Sequence, residues 1–170
     1  MLNRVKQFLR ALFAKVSAAD RAYIEEHLGG QEEQELFFAM DIIDMRHALN
    51  VAYTAEKLAA TEANIDKKLL VRAALLHDTG RIKGDLGIIG KTLAVLFEWA
   101  LPKLARKIAA PAAGLPKMMY VYFYHGELGA EKLRKIGLYR EAELAKKHHD
   151  PPKEGDSAEL CLLRIADNLN

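Results

Sequence analysis

Apolar residues recur along most of the chain three and four positions apart, and the alternation of a half-buried strand is nowhere sustained. The pattern predicts helices joined by short punctuated loops, and hence an all-α fold. Over Met1 to Val16, Leu2, Val5, Phe8, Leu9, Leu12, Phe13 and Val16 share one helical face, with Arg4, Lys6, Arg10 and Lys15 elsewhere. A basic amphipathic helix of this kind looks like an interfacial membrane helix, although packing on its own domain or on a twin subunit is the favoured reading. Ser17-Ala18-Ala19-Asp20 reads as a capping box opening a helix to His27-Leu28, which Gly29-Gly30 should end in the left-handed conformation. A long helix is expected over Gln34 to Ala60. The next starts near Ile65-Asp66, carries Leu69, Leu70, Ala73, Ala74 and His77 on one side, and stops at Gly80. Arg81 to Gly90 reads as a loop, and Lys91 to Ala110 as a greasy segment that Pro102 kinks or breaks. Further helices are expected over Lys117 to Ile136 with Gly137 as the stop, over Arg140 to His149 ahead of Pro151-Pro152, and from the capping residues Asp156-Ser157-Ala158-Glu159 to Asn170.

With 170 residues and 51% of them apolar, the chain can bury a core as a single domain, with residues 1–34 as accessory helices packed on a main body at 35–170. Lys and Arg number 25 against 23 Asp and Glu, so the net charge of +2 provides no global attraction to a nucleic-acid polymer, and any anion binding must be local. No run of about 20 apolar residues exists to span a membrane. The single cysteine, Cys161, sits in Leu160-Cys161-Leu162-Leu163, reads as a core position and has no intrachain partner, which fits a reducing cytoplasm.

The candidate chemistry lies in histidines and aspartates that fall on apolar stripes. His47 lies four before Val51 and eleven before Leu58; His125 follows Val121 by four and precedes Leu128 by three; Asp167 lies four after Leu163. A buried carboxylate without a partner costs several kcal/mol, so an aspartate on such a stripe demands a counter-charge or a metal. His77 and Asp78 at a helix end, with the pair His148-His149, complete a set spread over five helices, and bundle interiors build metal sites where such helices converge.

Arg46-His47-Ala48-Leu49-Asn50-Val51-Ala52, Ala73-Ala74-Leu75-Leu76-His77-Asp78-Thr79-Gly80-Arg81, His125-Gly126-Glu127-Leu128-Gly129-Ala130, His148-His149 and Leu163-Arg164-Ile165-Ala166-Asp167 follow one another in an order that resembles the HD-domain superfamily of metal-dependent phosphohydrolases, over roughly residues 35–170. The resemblance implies a helical bundle with its metal site between converging helices. It assigns His47, His77, Asp78 and Asp167 to a first metal, with Asp78 bridging to a second held by His125 and by His148 or His149. His148 is the preferred ligand of that pair, leaving His149 for a substrate phosphate. The chain departs from the family pattern in three places. Thr79-Gly80-Arg81 stands where Ile-Gly-Lys is common, so Arg81 presents a planar fork instead of a point charge. The Gly-x-Pro element of the large cyclic-dinucleotide subgroup is missing after His125. Asp167 lies three residues before the last residue given, in a turn expected to fray unless packing or a partner holds it.

Imidazoles with carboxylates and no thiolate favour iron or manganese, and less often nickel, zinc or magnesium, as one or two divalent ions. In this setting the expected reaction is hydrolysis of a phosphate ester, a monoester or a diester, in a small phosphorylated metabolite such as a nucleotide or dinucleotide, by hydroxide on the metal. Asp78 and Arg81 are the expected catalytic residues, with Arg81, Lys83, Arg164 and His149 facing substrate. Asp44, one turn before His47, is a candidate to orient its ring. The greasy 91–110 segment with Trp99 reads as a lid, a pocket wall or a homodimer interface, and Tyr120, Tyr122 and Tyr124 as stacking or core residues. Two other readings of the same ligands are a metal-loaded module that senses a nucleotide without turning it over and a di-iron oxygenase.

Overall fold

The computed structural model describes residues 15–85 and 88–170; the helix expected over Met1 to Val16 lies almost wholly outside them. Nine helices and no strand are found among the described residues, in agreement with the all-α expectation: α1 Ala18–His27, α2 Gln31–Phe38, α3 Ile42–Ala59, α4 Lys67–Leu76, α5 Ile88–Ala100, α6 Pro102–Ile108, α7 Leu115–Lys135, α8 Tyr139–Lys147 and α9 Ala158–Leu169.

Local chemistry accounts for most of the ends. Ser17 and Asp20 form the reciprocal capping box of α1. The side chains of Asp66 and Ser157 accept the Leu69 and Leu160 amides to open α4 and α9. Pro102 begins α6 after the break at Leu101, and Gly137 follows α7 at φ 82°, where a left-handed residue is needed.

Four expectations are corrected. Gly29-Gly30 does not close α1 in the left-handed region: Gly30, at φ −103° and ψ 144°, is the N-cap of a separate helix, α2. The long helix from Gln34 divides, because α2 ends at Phe38 and α3 begins after an extended Asp41. The Ala39 carbonyl exposed by that break accepts the Lys83 amide at 2.9 Å, a contact from 44 residues away that no local signal announces. Gly80 is not the stop of α4, which ends at Leu76. Cys161 is exposed: Leu160, Leu163, Arg164 and Ala166 are the buried positions of α9, and the next residue after Leu160 turns outward.

α4 is the centre of the body. Leu69, Leu70, Val71, Ala73, Ala74, Leu75 and Leu76 are all buried, the signature of a helix enclosed on every side. Ala48, Leu49, Ala52 and Ala55 of α3, Ala142 and Ala145 of α8, and Leu160 and Leu163 of α9 pack in the same core, joined by Ile24 of α1, Leu28 at its C-cap and Phe37 of α2. Whatever follows α4 is therefore delivered to the interior. α7 joins this core through Ala130 and Leu133 in its second half. Its first half packs with α5 and α6 in a separate small cluster of Ala94, Ala105 and Met119.

Candidate metal centre

Two helices end in the same device. His77 is the C-cap of α4 and His148 the C-cap of α8, both in right-handed helical geometry, with Nδ1 of each against the carbonyl three residues back: Ala74 at 2.8 Å and Ala145 at 2.6 Å. A carbonyl can only accept, so Nδ1 carries the proton and donates, which leaves Nε2 of each ring with a bare lone pair aimed away from its helix. His125, in the middle of α7, repeats the arrangement by donating from Nδ1 to Tyr122 O at 3.0 Å. Such bonds to the far nitrogen are how protein metal sites fix the tautomer and orientation of a ligating imidazole.

Asp78 follows His77 into the same space and is 1% exposed. Its Oδ2 accepts Arg81 Nη1 at 2.5 Å and lies 3.7 Å from His77 Nε2; its Oδ1 lies 3.4 Å from His125 Nε2 and 3.9 Å from His148 Nε2. Asp167 enters from α9, with Oδ1 2.9 Å from His47 Nε2 and 3.8 Å from His77 Nε2. The turn carrying Asp167 is tied down, since Asn170 Nδ2 donates to Thr54 Oγ1 on α3 and to Ala166 O, both at 2.9 Å.

His77 Nε2, Asp78 Oδ1 and His148 Nε2 are buried with no hydrogen-bond partner. Two lone pairs from imidazoles and one from a carboxylate, stripped of water and converging, would be costly in a protein that held nothing there. The same donor set is what a borderline divalent cation takes. Three overlapping groups offer ligand atoms within 4.8 Å of one another: His47, His77 and Asp78; His77, His148 and Asp167; and His125, His148 and His149. The residues present fit a metal site.

The electrostatics follow from burial and these neighbours. Burial pushes Asp78 up, but Arg81 and the surrounding imidazoles outweigh it and hold the carboxyl well below its ordinary range. Burial likewise opposes Asp167, and the His47 hydrogen bond reverses it to a strongly lowered value. Burial lowers His148 to about 3, helped by the neighbouring imidazoles, and burial with the aid of Arg81 holds His125 well below its ordinary value. These rings are neutral at physiological pH, the form that ligates. Burial also opposes charge on His47, but its bond to Asp167 raises it on balance.

All seven residues singled out as metal candidates are brought together, and Arg81 stands among them. Its Nη2 is 3.0 Å from His125 Nε2, while Nη1 is on Asp78 and 3.7 Å from Asp44 Oδ1. His149 forms the rim of the cluster: its side chain is 56% exposed, with Nε2 2.9 Å from His125 Nε2 and Nδ1 4.0 Å from Asp167 Oδ2. Lys83 is exposed in the turn after Arg81. Arg164 departs from its expected place before a substrate. Its guanidinium pairs with Asp156 at 2.6 Å and donates to Lys147 O, so it braces the end of α8 that carries His148.

Two contributors escaped the sequence reading. Lys132 Nζ donates to Thr79 O at 2.6 Å and pins the turn after His77-Asp78 to α7. Its position seven residues after His125, on the same helical face, was the available signal. Gly80 abuts α7 so closely that a methyl group on it would stand 1.9 Å from His125 O, and Gly129, one turn after His125, gives the same turn room.

No curated protein and no solved structure matches the chain significantly. Residues 44–170 match the family model of the HD domain, a stretch that opens at Asp44 and contains every residue of the cluster.

Proposed function

Because the chain belongs to the HD-domain family, a superfamily of metal-dependent phosphohydrolases, we propose that it hydrolyses a phosphate ester in a small metabolite, a nucleotide or dinucleotide. The observation that carries the reading is the trio of buried, unpartnered ligand atoms on His77, Asp78 and His148. His47, His77, Asp78 and Asp167 would hold one divalent ion, and Asp78 with His125 and His148 a second, with iron or manganese the ions that suit these donors. Such ions supply Lewis-acid polarisation of a phosphoryl oxygen and acidify water for attack at neutral pH.

The remaining work falls to the protein's own groups. The carbonyls of Ala74, Tyr122 and Ala145 hold three imidazoles in the ligating tautomer. Arg81 carries positive charge into a buried cluster whose carboxylates are ionised, and a guanidinium can grip two phosphate oxygens at once. His149, half in solvent at the rim, is placed to donate to a phosphate that enters there.

The test is to purify the protein without oxygen, count the metals bound, and screen phosphomonoesters, cyclic nucleotides and dinucleotides with manganese or iron added. Phosphate release that disappears in Asp78→Ala supports the reading. Tight nucleotide binding without turnover under every metal would overturn it in favour of a sensing module.

A further inference from the structure

α5 and α6 leave a large apolar surface uncovered. Leu93, Leu96 and Trp99 follow one another at three-residue spacing on the outer face of α5 and are 52, 54 and 82% exposed; Leu101 and Leu104 extend the ridge along α6 at 48 and 43%. The inner face of the same pair is fully used, with Ala94, Phe97 and Ala105 packed on Met119 of α7. Contiguous apolar surface of this kind on a folded domain marks an interaction site.

The charges beside the ridge say what covers it. α6 carries Lys103, Arg106 and Lys107 and no acid. Glu98 of α5 is already engaged by the Tyr122 hydroxyl at 2.7 Å, and Asp85 by Lys117 at 2.7 Å. A second copy of the same face would bring more cations, with Glu98 turned inward onto Tyr122 and no acid on α6 to meet them, whereas a sheet of anionic headgroups over an acyl interior satisfies both the lysines and the leucines. Tryptophan is the residue most at home at that boundary, its ring in the apolar zone and its N–H among the headgroups. No helix among the described residues is long and apolar enough to cross a membrane. We therefore propose that the α5–α6 ridge docks this protein onto the surface of an anionic lipid bilayer, Leu93, Leu96 and Trp99 entering the interface and Lys103 and Lys107 meeting the headgroups. The docked module rests on the first half of α7, the helix whose middle carries His125.

Trp99 is the only tryptophan of the chain, so its fluorescence reports the ridge alone. The full chain is titrated with vesicles of phosphatidylcholine alone and of phosphatidylcholine with an equal share of phosphatidylglycerol, and bound protein is also measured by sedimentation. Docking predicts a blue shift with the anionic vesicles only, weakened by salt. Lys103→Glu with Lys107→Glu should reduce sedimentation by roughly tenfold or more, and Leu96→Glu should reduce it without altering the circular dichroism or the melting temperature. Three results would overturn the proposal: no blue shift on anionic vesicles; sedimentation that the ridge variants leave unchanged, which places binding elsewhere in the chain; or a blue shift that grows with protein concentration alone, which makes a second copy the partner. None of these outcomes depends on hydrolysis, so the proposal and the enzymatic reading fail separately.

Discussion

Asp20 and Asp78 are both buried aspartates, 6 and 1% exposed, and folding has finished them differently. Asp20 Oδ1 accepts the Tyr53 hydroxyl, and Oδ2 accepts the Ser17 amide, the Ser17 hydroxyl and Arg46 at 2.7 to 2.9 Å. Burial raises its pKa, but Ser17, Tyr53 and Arg46 more than reverse this and bring it to about 2. Asp78 has Arg81 on one oxygen and no hydrogen bond on the other. Each carboxylate is ionised, yet only the first is satisfied by its own chain. A carboxylate whose two oxygens are both engaged by its own chain is part of the architecture; one with an unpartnered oxygen facing unpartnered imidazoles has the makings of a metal ligand.

Exchanging the two aspartates for neutral residues tests the contrast most sharply. Asp78→Asn should lower hydrolysis by at least about a hundredfold and reduce bound metal, while the melting temperature of the chelator-treated protein does not fall. A loss of stability there comparable to that of an ordinary core disruption would erase the distinction. Among the histidines, His77→Ala should weaken metal affinity by about 10- to 100-fold, and His149→Ala by clearly less, as titrations followed by calorimetry would reveal. Equal losses would mean that the exposed and the buried imidazole do the same work. Arg81 holds His125 Nε2, an atom that a second ion would need, so Arg81→Ala should raise the number of ions bound per chain, counted by emission spectrometry.

The smallest effects are expected at Asp20. Asp20→Ala should cost about 1 kcal/mol of stability, the usual worth of a helix cap, and leave hydrolysis untouched. Its pH dependence has a definite sign. The folded pKa of about 2 lies below the ordinary 3.8, so the stabilisation is fully present above about pH 4 and disappears as pH falls toward 2. Urea midpoints of wild type and Asp20→Asn should therefore converge across that interval, and parallel curves would exclude Asp20 as the titrating group.

Legibility in the sequence followed the range of the interactions. The capping box at Ser17, the breaks at Pro102 and Gly137 and the cap at Ser157 are decided within a few residues and were readable. Four of the seven clustered histidines and aspartates, His47, His77, His125 and Asp167, were readable because they lie on apolar stripes where a polar residue has to be explained; Asp78, His148 and His149 stand at helix ends and came from the resemblance of their order to the family pattern. The division between α2 and α3 was not, since no glycine or proline marks it and the Lys83 amide that satisfies Ala39 O comes from across the fold. Asp20 was legible as a cap but not as the centre of a network, because Arg46 and Tyr53 lie 26 and 33 positions away. Arg164 shares a helical side with Asp167, which suggested a common task. Asp156 on the loop before α9 claims it instead, a choice made by tertiary geometry.

Gly80 gives the centre something that ligand chemistry alone cannot. The absent methyl group, 1.9 Å from where His125 O stands, would be far inside the roughly 3.5 Å at which atoms normally pack, so backbone meets backbone at this point. The gap between Asp78, two residues before Gly80, and His125 on the opposing helix is thus gauged by main chain rather than by adjustable side chains. Ions of different radius would meet a jaw of fixed width, and discrimination among them would be set as much by the course of the chain as by the atoms it presents.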